Sequence, residues 1–424
     1  MQKMLAWIDA RFPLTALWES QWGKYIAPKN FNFWYYFGSL AAFVLVLQIV
    51  TGIFLTMNYK PDAQKAFESV EYIMRDVSWG WLIRYMHTTG ASMFFIVVYL
   101  HMYRGLIYGS YRSPRELTWI FGCLIYLSLM AEAFFGYLLP WGQMSYWGAQ
   151  VIVNLFSSVP LIGEDLAVWI RGDYTISDIT LNRFFAFHVI ALPLVLLGLV
   201  AAHLMALHET GSNNPDGVDV KHQPKDPKTG LPLDGIYSHP YYTIKDIVGV
   251  IVFLAVFSVI MFFMPEMGGY FIEANNFIPA DPLKTPEHIA PVWYFTPYYA
   301  MLRAVPSFFG TQVWGVIVMG LAVLIFFALP WLDRGPVRSI RYRGTLYKTW
   351  VAIFVVSFLV LGYLGVVPVT VWGQFGDGVP IIGGGDRATL VARVFTALYF
   401  AFFLLMPWYT KIDKCKPEPT RVTG

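Results

Sequence analysis

Residues 80–104 read GWLIRYMHTTGASMFFIVVYLHMYR, and this stretch decides how the chain folds. It is long enough to cross a bilayer, because a spanning helix needs about 20 mostly apolar residues. It nevertheless carries two histidines, His87 and His101, which are fourteen residues apart. That spacing is about 3.9 helical turns, so both imidazoles return to nearly the same helix face, about 21 Å apart. The stretch predicts a membrane helix with one metal-ligating residue near each end.

Eight segments of the chain share this length and apolar character. Hydrophobic residues make up 57% of the sequence and charged residues 13%, whereas a soluble domain carries about 25% charged residues. We therefore predict an all-α integral membrane protein with eight transmembrane helices. The predicted spans are 34–57, 80–104, 116–139, 181–205, 246–265, 312–332, 349–368 and 391–409.

Four regions follow from the positions of these spans. Residues 1–32 read as an amphipathic segment on the membrane surface. Residues 33–209 form a four-helix bundle, and residues 245–424 carry the remaining four spans. Between them, 210–244 is a polar loop, and we expect its residues 213–234 to be solvated. The aromatic-rich connectors 140–178 and 266–311 are expected to lie against the membrane as short helices.

The fourth span carries a second pair of histidines, His188 and His203, which are fifteen residues apart. Fifteen residues make about 4.2 turns, so this pair also shares one helix face. Facing helices with this pattern make two bis-histidine sites, His87/His188 and His101/His203. Such a site within apolar walls suits haem iron, whereas zinc usually requires more protein ligands. The alternative is four histidines that are satisfied separately by hydrogen bonds, and two matched pairs argue against it.

Glycines in the first and third spans repeat the same period. Gly38 and Gly52 are fourteen residues apart, as are Gly122 and Gly136. A porphyrin between helices needs a surface without side chains close to its plane, which glycine provides. Ordinary small-residue helix packing is the alternative for the glycines alone.

Two arginines flank the histidines of the second span. Arg84 precedes His87 by three residues, and Arg104 follows His101 by three. Each lies about one turn beyond its histidine, toward the nearer membrane surface. We expect them to pair with haem propionates, although long basic side chains also extend to the interface without a ligand.

The basic residues predict the orientation in the membrane. Of the 30 Lys and Arg residues, 20 fall on the side of the N-terminus, which predicts that both termini are cytoplasmic. The net charge of +3 and the absence of a basic run exclude a nucleic-acid-binding protein. The two cysteines, Cys123 and Cys415, do not suggest a disulfide framework.

Several longer motifs resemble cytochrome b of the cytochrome bc1 complex, or ubiquinol–cytochrome c reductase. The resemblance covers nearly the whole chain. The matching stretches are RYMH (84–87), HMYRG (101–105), GYLLPWGQMS (136–145), WGA (147–149), SNNP (212–215) and PYYTIKD (240–246).

This resemblance implies two b haems, the low-potential one at His87/His188 and the high-potential one at His101/His203. It also implies ubiquinol oxidation on the positive side of the membrane and quinone reduction on the negative side, coupled to proton translocation. The implied partners are a Rieske iron–sulfur protein and a membrane-anchored c-type cytochrome, in a homodimeric complex. A bacterial inner membrane is favoured over a mitochondrial one.

The resemblance also implies a positive-side quinol pocket, with Tyr137 and Tyr299 among its catalytic residues. Its residues are Phe134, Tyr137, Gly148, Pro291, Val292, Phe295 and Tyr299. The family commonly has a glutamate at the position of Val292, where it is thought to accept a quinol proton. Valine cannot do so, and we expect Glu132, with Glu287 as a second candidate, to take over that role. The alternative for Glu132 is a neutral, hydrogen-bonded helix residue.

The negative-side pocket is predicted to contain His208, Ser212, Lys245 and Asp246. His208 lies five residues beyond His203, near the membrane edge. Proton uptake by a reduced quinone needs acid–base groups within hydrogen-bond reach, and Asp246 is the expected catalytic residue. The alternative is that Lys245 and Asp246 only mark the start of a helix.

Three other functions account for some of the same residues. An eight-span transporter explains the hydrophobicity and a buried Glu132, but it does not explain the matched histidine and glycine pairs. A two-haem subunit of a dehydrogenase needs only one quinone site. The split photosynthetic relative divides this length between two chains, although the fifteen-residue spacing of His188 and His203 resembles that branch.

Overall fold

The computed structural model describes residues 2–373 and 386–423, and it is predominantly helical. The α-helices in chain order are α1 (Gln2–Asp9), α2 (Leu14–Trp18), α3 (Tyr36–Thr56), α4 (Ala66–Arg75), α5 (Gly80–Tyr108), α6 (Glu116–Leu138), α7 (Gln143–Ser157), α8 (Gly163–Arg171), α9 (Asp178–Ala186), α10 (Leu192–Thr210), α11 (Tyr241–Phe263), α12 (Thr296–Ala304), α13 (Val313–Leu332), α14 (Thr345–Val366), α15 (Arg387–Leu404) and α16 (Met406–Ile412). Two short strands, β1 (Ile26–Pro28) and β2 (Gly235–Tyr237), pair antiparallel.

Eight helices are long and apolar enough to cross a membrane within the described residues. They are α3 with a preceding turn, α5, α6, α9 joined to α10, α11, α13, α14 and α15. The predicted eight-span all-α fold is confirmed. α5 runs four residues beyond its predicted end, to Tyr108. The two small strands lie outside the spans and do not change the fold class.

The first four spans associate in two pairs. α3 packs along α5, and α6 packs along α10, while α11 lies against α3 and α5. The histidine-bearing spans therefore belong to different pairs. Their imidazoles face each other across the space between the pairs.

The fourth span is interrupted by one π-helical turn, Phe187–Ala191, which contains His188. A π turn closes its hydrogen bond one residue later than an α turn, so it absorbs one additional residue. This turn accounts for the longer spacing of His188 and His203, which exceeds that of His87 and His101 by one residue. The extra residue leaves both imidazoles pointing toward α5.

The connector before α12 folds into the protein core. Trp293–Phe295 form a single 3-10 turn that leads directly into α12. Tyr294 stacks on Phe95 of α5, with ring centroids 3.9 Å apart. Met301 of α12 is fully buried, and α12 packs against α13, α14 and α15. This segment therefore joins the bundle to the C-terminal half.

The prediction of a solvated loop at 213–234 is wrong for residues 213–220, whereas most of residues 221–230 are exposed as predicted. Asn214, Asp216 and Asp234 are fully buried. Asp216 accepts hydrogen bonds from Asn30, Arg341, Tyr342 and Thr423. Its carboxylate is buried because this ring of donors replaces water. The polar composition of residues 213–220 reflects that network rather than exposure.

The N-terminal segment leaves large apolar side chains exposed, as expected for helices that lie on a membrane surface. They include Trp7, Phe12, Trp18 and Trp22. The connectors 140–178 and 266–311 also form short helices, among them α7, α8 and α12.

Candidate haem and quinone sites

The four membrane histidines form two facing pairs. The ring centroids of His87 and His188 are 6.1 Å apart, and those of His101 and His203 are 6.3 Å apart. A metal–imidazole bond is about 2 Å long, so one ion between two rings takes up about 4 Å of such a separation. The rest of the separation between the centroids equals the distance from ring centre to ligating nitrogen, counted once for each ring. Each pair therefore fits two axial ligands of one metal ion.

The donor set also fits a haem better than a free ion. Among the described residues, no group of three or more His, Cys, Asp and Glu side chains could hold a metal. Two imidazoles supply only two ligands to an iron ion, and in a haem the porphyrin supplies the others.

Each of the four predicted glycines lies against one of the four histidines. A Cβ at these positions would approach the histidine Cε1 to 3.3 Å for Gly38 and His101, 3.3 Å for Gly52 and His87, and 3.5 Å for Gly122 and His203. At Gly136 the same Cβ would lie under 3.0 Å from three ring atoms of His188. The glycines therefore border the two sites, and Gly136 tolerates a side chain least.

The Nδ1 atoms of the histidines have different surroundings in the two sites. His87 Nδ1 lies 2.9 Å from the Thr51 hydroxyl, and His188 Nδ1 donates to the Glu132 carbonyl at 2.9 Å. The Nδ1 atoms of His101 and His203 are buried and have no hydrogen-bond partner of standard geometry among the described residues.

The two arginines next to the histidines are largely withdrawn from solvent, Arg84 being buried and Arg104 half-buried. Arg84 is 6% exposed. The Nε atom of Arg104 is buried and lacks a hydrogen-bond partner within the described part of the chain. A buried guanidinium requires an anion to offset the loss of water. Haem propionates would provide that anion at both ends of α5.

In the predicted positive-side pocket, Tyr137 meets a residue that the sequence did not single out. Its hydroxyl donates to Oε2 of Glu273 at 2.6 Å. Gly148 lies beside the same tyrosine, because a Cβ there would be 3.7 Å from Tyr137 Cε1. Burial raises the pKa of Glu273 to about 7. This carboxyl can therefore exchange protons near neutral pH.

Glu273 also lies close to the Pro291–Phe295 stretch. Burial and the nearby Glu273 carboxylate raise the pKa of the Tyr294 hydroxyl. Val292 is 4% exposed and belongs to the apolar core. Glu273 precedes Val292 by nineteen residues, in a loop with no helical or strand periodicity. No sequence pattern therefore connects it to Tyr137.

The other predicted residues of this pocket lie in different surroundings. Tyr299 packs under the Arg303 guanidinium, 4.7 Å from the ring centroid. Phe134 contacts Phe184 on the side of α9. Pro291 and Phe295 are both half-buried, whereas Glu287 is exposed.

In the predicted negative-side pocket, His208 and Ser212 are joined by a residue from the N-terminal segment. Tyr25 stacks on His208 at 4.4 Å, and its hydroxyl lies 2.8 Å from Ser212 Oγ. His208 Nδ1 lies 2.7 Å from Gln21 Oε1. Burial raises the pKa of Tyr25, so its hydroxyl keeps its proton. The sequence did not point to Gln21 and Tyr25, because their segment has only the pattern of a surface helix.

The other two predicted residues of this side lie on α11. The Ser39 hydroxyl donates a hydrogen bond to Asp246 Oδ1 at 2.9 Å. Ser39 directly follows Gly38, which lies against His101. Lys245 Nζ lies 4.5 Å from the centroid of the Tyr241 ring. Asp246 is therefore linked to the His101/His203 site through α3.

Comparison with known proteins identifies the family. The profile described as cytochrome b/b6/petB matches residues 23–211, and that described as cytochrome b(C-terminal)/b6/petD matches residues 279–377. Cytochrome b of Allochromatium vinosum is 62% identical over 99% of this chain and 98% of its own length. Cytochrome b/c1 of Bradyrhizobium diazoefficiens is 45% identical over 99% of this chain and 56% of its own length.

A solved structure of a hyperthermophilic respiratory complex III shares this fold. It matches 96% of this chain and 99% of its own chain, with a TM-score of 0.84 and 38% sequence identity. The chain therefore belongs to the cytochrome b/b6 family, and within it to the bacterial cytochromes b.

Proposed function

We propose that this chain is the di-haem, quinone-binding subunit of ubiquinol–cytochrome c reductase. In this role it oxidises ubiquinol on the positive side of the membrane and reduces quinone on the negative side, in a Q cycle. The observation that carries the proposal is the pair of facing histidine sites, 6.1 and 6.3 Å between ring centroids. A cluster of acid–base groups lies beyond each site.

Each b haem, when bound, accepts and donates one electron. His87 and His188 would ligate the low-potential haem, and His101 and His203 the high-potential one. Arg84 and Arg104 would hold the propionates. The glycine surfaces of α3 and α6 leave room for the two macrocycles. The residues of the bundle thereby position two one-electron carriers between the quinone pockets.

At the positive-side pocket, Glu273 is the proposed proton acceptor. Ubiquinol oxidation releases two electrons and two protons. Tyr137 can orient a quinol hydroxyl toward Glu273, since its own hydroxyl already bonds to that carboxylate at 2.6 Å. Val292 offers no acceptor. Glu132 and Glu287 stay predictions for this role, and Glu132 contacts a ligating histidine instead.

At the negative-side pocket, Asp246 and His208 are the proposed proton donors to the reduced quinone. Ser39 fixes the Asp246 carboxylate, and Gln21 and Tyr25 orient His208. Ser212 and Lys245 are the other two residues predicted to make polar contacts with the quinone. Groups from α3, α10 and α11 and the N-terminal segment would thus surround one quinone ring.

Both termini are proposed to lie on the cytoplasmic side of a bacterial inner membrane. Asp234 binds Lys29 and Arg421, each at 2.8 Å. The N-terminal segment, the 210–244 loop and the C-terminal tail therefore meet at one face of the protein. The Lys and Arg bias assigns that face to the cytoplasm.

The proposed partners are a Rieske iron–sulfur protein and a c-type cytochrome, in a homodimeric complex. The Rieske protein would take the first electron of ubiquinol, and His87/His188 would receive the second. The similarity to a complex III structure supports a multi-subunit assembly. The joint name cytochrome b/c1 of the Bradyrhizobium relative supports a c-type partner.

A redox titration of the purified complex, followed optically, tests the proposal. We expect two separate one-electron b-type transitions and ubiquinol-dependent reduction of a cytochrome c. His203→Asn should remove one transition, whereas His222→Asn, at an exposed histidine, should keep both. A wild-type complex with no b-type haem, or only one, would contradict the proposed function.

A further inference from the structure

Glu132 carries an acidic side chain inside the membrane-spanning helix α6, in contact with a ligating histidine. Its Oε1 lies 3.0 Å from Nδ1 of His188, and the same nitrogen donates to the Glu132 carbonyl at 2.9 Å. Its other carboxyl oxygen is buried without a hydrogen-bond partner in the described part of the chain. A carboxylate within a membrane is costly and marks a functional role by default.

This contact distinguishes one histidine from the other three. His87 Nδ1 lies beside the neutral hydroxyl of Thr51. Within the described residues, the ion-pair contacts of histidine within 4.0 Å are His188 with Glu132 and His222 with Asp219. No carboxylate of these residues therefore approaches His87, His101 or His203 to that distance. Glu132 therefore contacts only the His87/His188 site.

A carboxylate beside the outer nitrogen of a metal-bound imidazole raises the basicity of that ligand. A more basic ligand favours the oxidised iron, which carries one more positive charge than the reduced iron. Haem potentials respond to contacts of this kind around the axial ligands. The side chain is 16% exposed, so water screens this effect only weakly.

We propose that Glu132 is a positioning residue that lowers the midpoint potential of the haem held by His87 and His188. The inference rests on the proposed function, since it requires that both histidine pairs ligate haem. Lowering this potential alone widens the difference between the two sites. An electron that enters at the positive side is then driven toward His101 and His203.

The test is an optical redox titration of the purified complex carrying Glu132→Gln, at fixed pH. We expect the equilibrium constant for electron transfer from the His87/His188 site to the other site to fall about tenfold. A tenfold change corresponds to about 59 mV for a one-electron couple. The potential of the His101/His203 haem should stay unchanged and serves as the internal reference.

A matched control removes a carboxylate from the other end of the same helix. Glu116 begins α6, sixteen residues before Glu132. Glu116→Gln should alter neither potential. The electron paramagnetic resonance spectrum of the oxidised complex gives a second readout. The low-spin signal of the His87/His188 haem should shift in Glu132→Gln and not in Glu116→Gln.

The outcomes separate this inference from the proposed function. Two b-type transitions with unchanged potentials in Glu132→Gln would overturn the inference and leave the proposed function intact. A wild-type complex without two b-type transitions would overturn the proposed function itself.

If Glu132→Gln fails to retain haem, Glu132→Asp replaces it, because its carboxylate is one methylene farther from His188. The same equilibrium constant should then fall by less than tenfold. An unchanged or larger equilibrium constant in Glu132→Asp would contradict the inference.

Discussion

The Tyr137 hydroxyl donates a hydrogen bond of 2.6 Å to Glu273. This bond joins the end of α6 to the loop before the Pro291–Phe295 stretch. It places a carboxyl that titrates near neutral pH beside a tyrosine of the predicted quinol pocket. Glu273 is therefore the proton acceptor that we propose for this pocket, where Val292 stands in place of the expected glutamate.

The first prediction concerns the pH dependence of ubiquinol oxidation. An ordinary glutamate has a pKa of about 4.3, whereas burial raises the pKa of Glu273 to about 7. Only the ionised carboxylate accepts a proton, so the rate should rise as the pH increases through about 7. Glu273→Gln should lower the rate by roughly a hundredfold and remove this rise. Steady-state ubiquinol–cytochrome c turnover across neutral pH measures both effects.

Glu287→Gln tests the second candidate for this role, because Glu287 lies in the same connector but its side chain is exposed. We expect its turnover and pH profile to match those of the wild type. An unchanged profile in Glu273→Gln, or a lost rise in Glu287→Gln, would assign the proton to a different acceptor.

The second prediction concerns haem retention at the glycine surfaces. An alanine Cβ at Gly136 would lie under 3.0 Å from His188, whereas at Gly122 it would lie 3.5 Å from His203. The first distance is a severe overlap, and the second is ordinary contact. Gly136→Ala should therefore lose most of the His87/His188 haem, while Gly122→Ala should keep both haems. Haem per protein from the pyridine haemochrome spectrum measures this difference.

Gly198→Ala on α10 controls for the loss of a helix glycine, since nothing lies within 4 Å of its Cβ position among the described residues. It should retain full haem content. Equal haem loss at all three positions would show that the glycines act through helix packing instead.

The third prediction concerns quinone reduction on the negative side. Asp246 is held by Ser39 and lies on the α11 face toward α3. Asp246→Asn removes the proposed proton donor, and general acid catalysis typically contributes about 100-fold or more. Reoxidation of the b haems by quinone should slow to that extent, while the first electron transfer from ubiquinol stays intact. Flash or stopped-flow absorbance of the haems separates the two steps.

The comparison variant is Glu209→Gln, an exposed acidic residue next to His208. It removes a carboxylate from the same membrane side without touching Ser39. Slower haem reoxidation in this variant would point to a general surface-charge effect rather than to Asp246.

The fourth prediction concerns the stability contributed by a buried ion pair of the C-terminal half. Arg343 and Asp333 form a fully buried ion pair of 2.5 Å, and Tyr111 from the bundle donates to the same carboxylate at 2.7 Å. Removing one partner of a buried pair leaves an uncompensated charge and costs about 3–5 kcal/mol. Asp333→Asn should lower the free energy of unfolding by about that amount. Thermal unfolding in detergent, followed by intrinsic fluorescence, gives the shift in Tm.

An exposed ion pair provides the contrast. Arg75 is 76% exposed and contacts Glu71 one helical turn away. Such surface pairs contribute about 0.5 kcal/mol or less. Glu71→Gln should leave Tm nearly unchanged, and equal shifts in the two variants would refute a special role for the buried pair.

The sequence by itself determined the membrane fold and the spacing of the histidines. Length and apolar composition suffice to locate eight spans, because a bilayer excludes charge from the segments that cross it. The fourteen- and fifteen-residue periods of the histidines likewise follow from helix geometry alone. These are local properties, which each segment carries without reference to the others.

The contacts between distant segments were decided only by the tertiary structure. Glu273 meets Tyr137 across 136 residues, and Tyr25 meets Ser212 across 187. Asp216 and Asp234 in the polar 210–244 segment are buried because they find donors on both termini. A hydrogen bond depends on where two chain segments meet in space, and that position arises only when the helices pack. The histidine pattern is therefore readable from the sequence, whereas the partners of Glu273 and Glu132 become visible only in the folded protein.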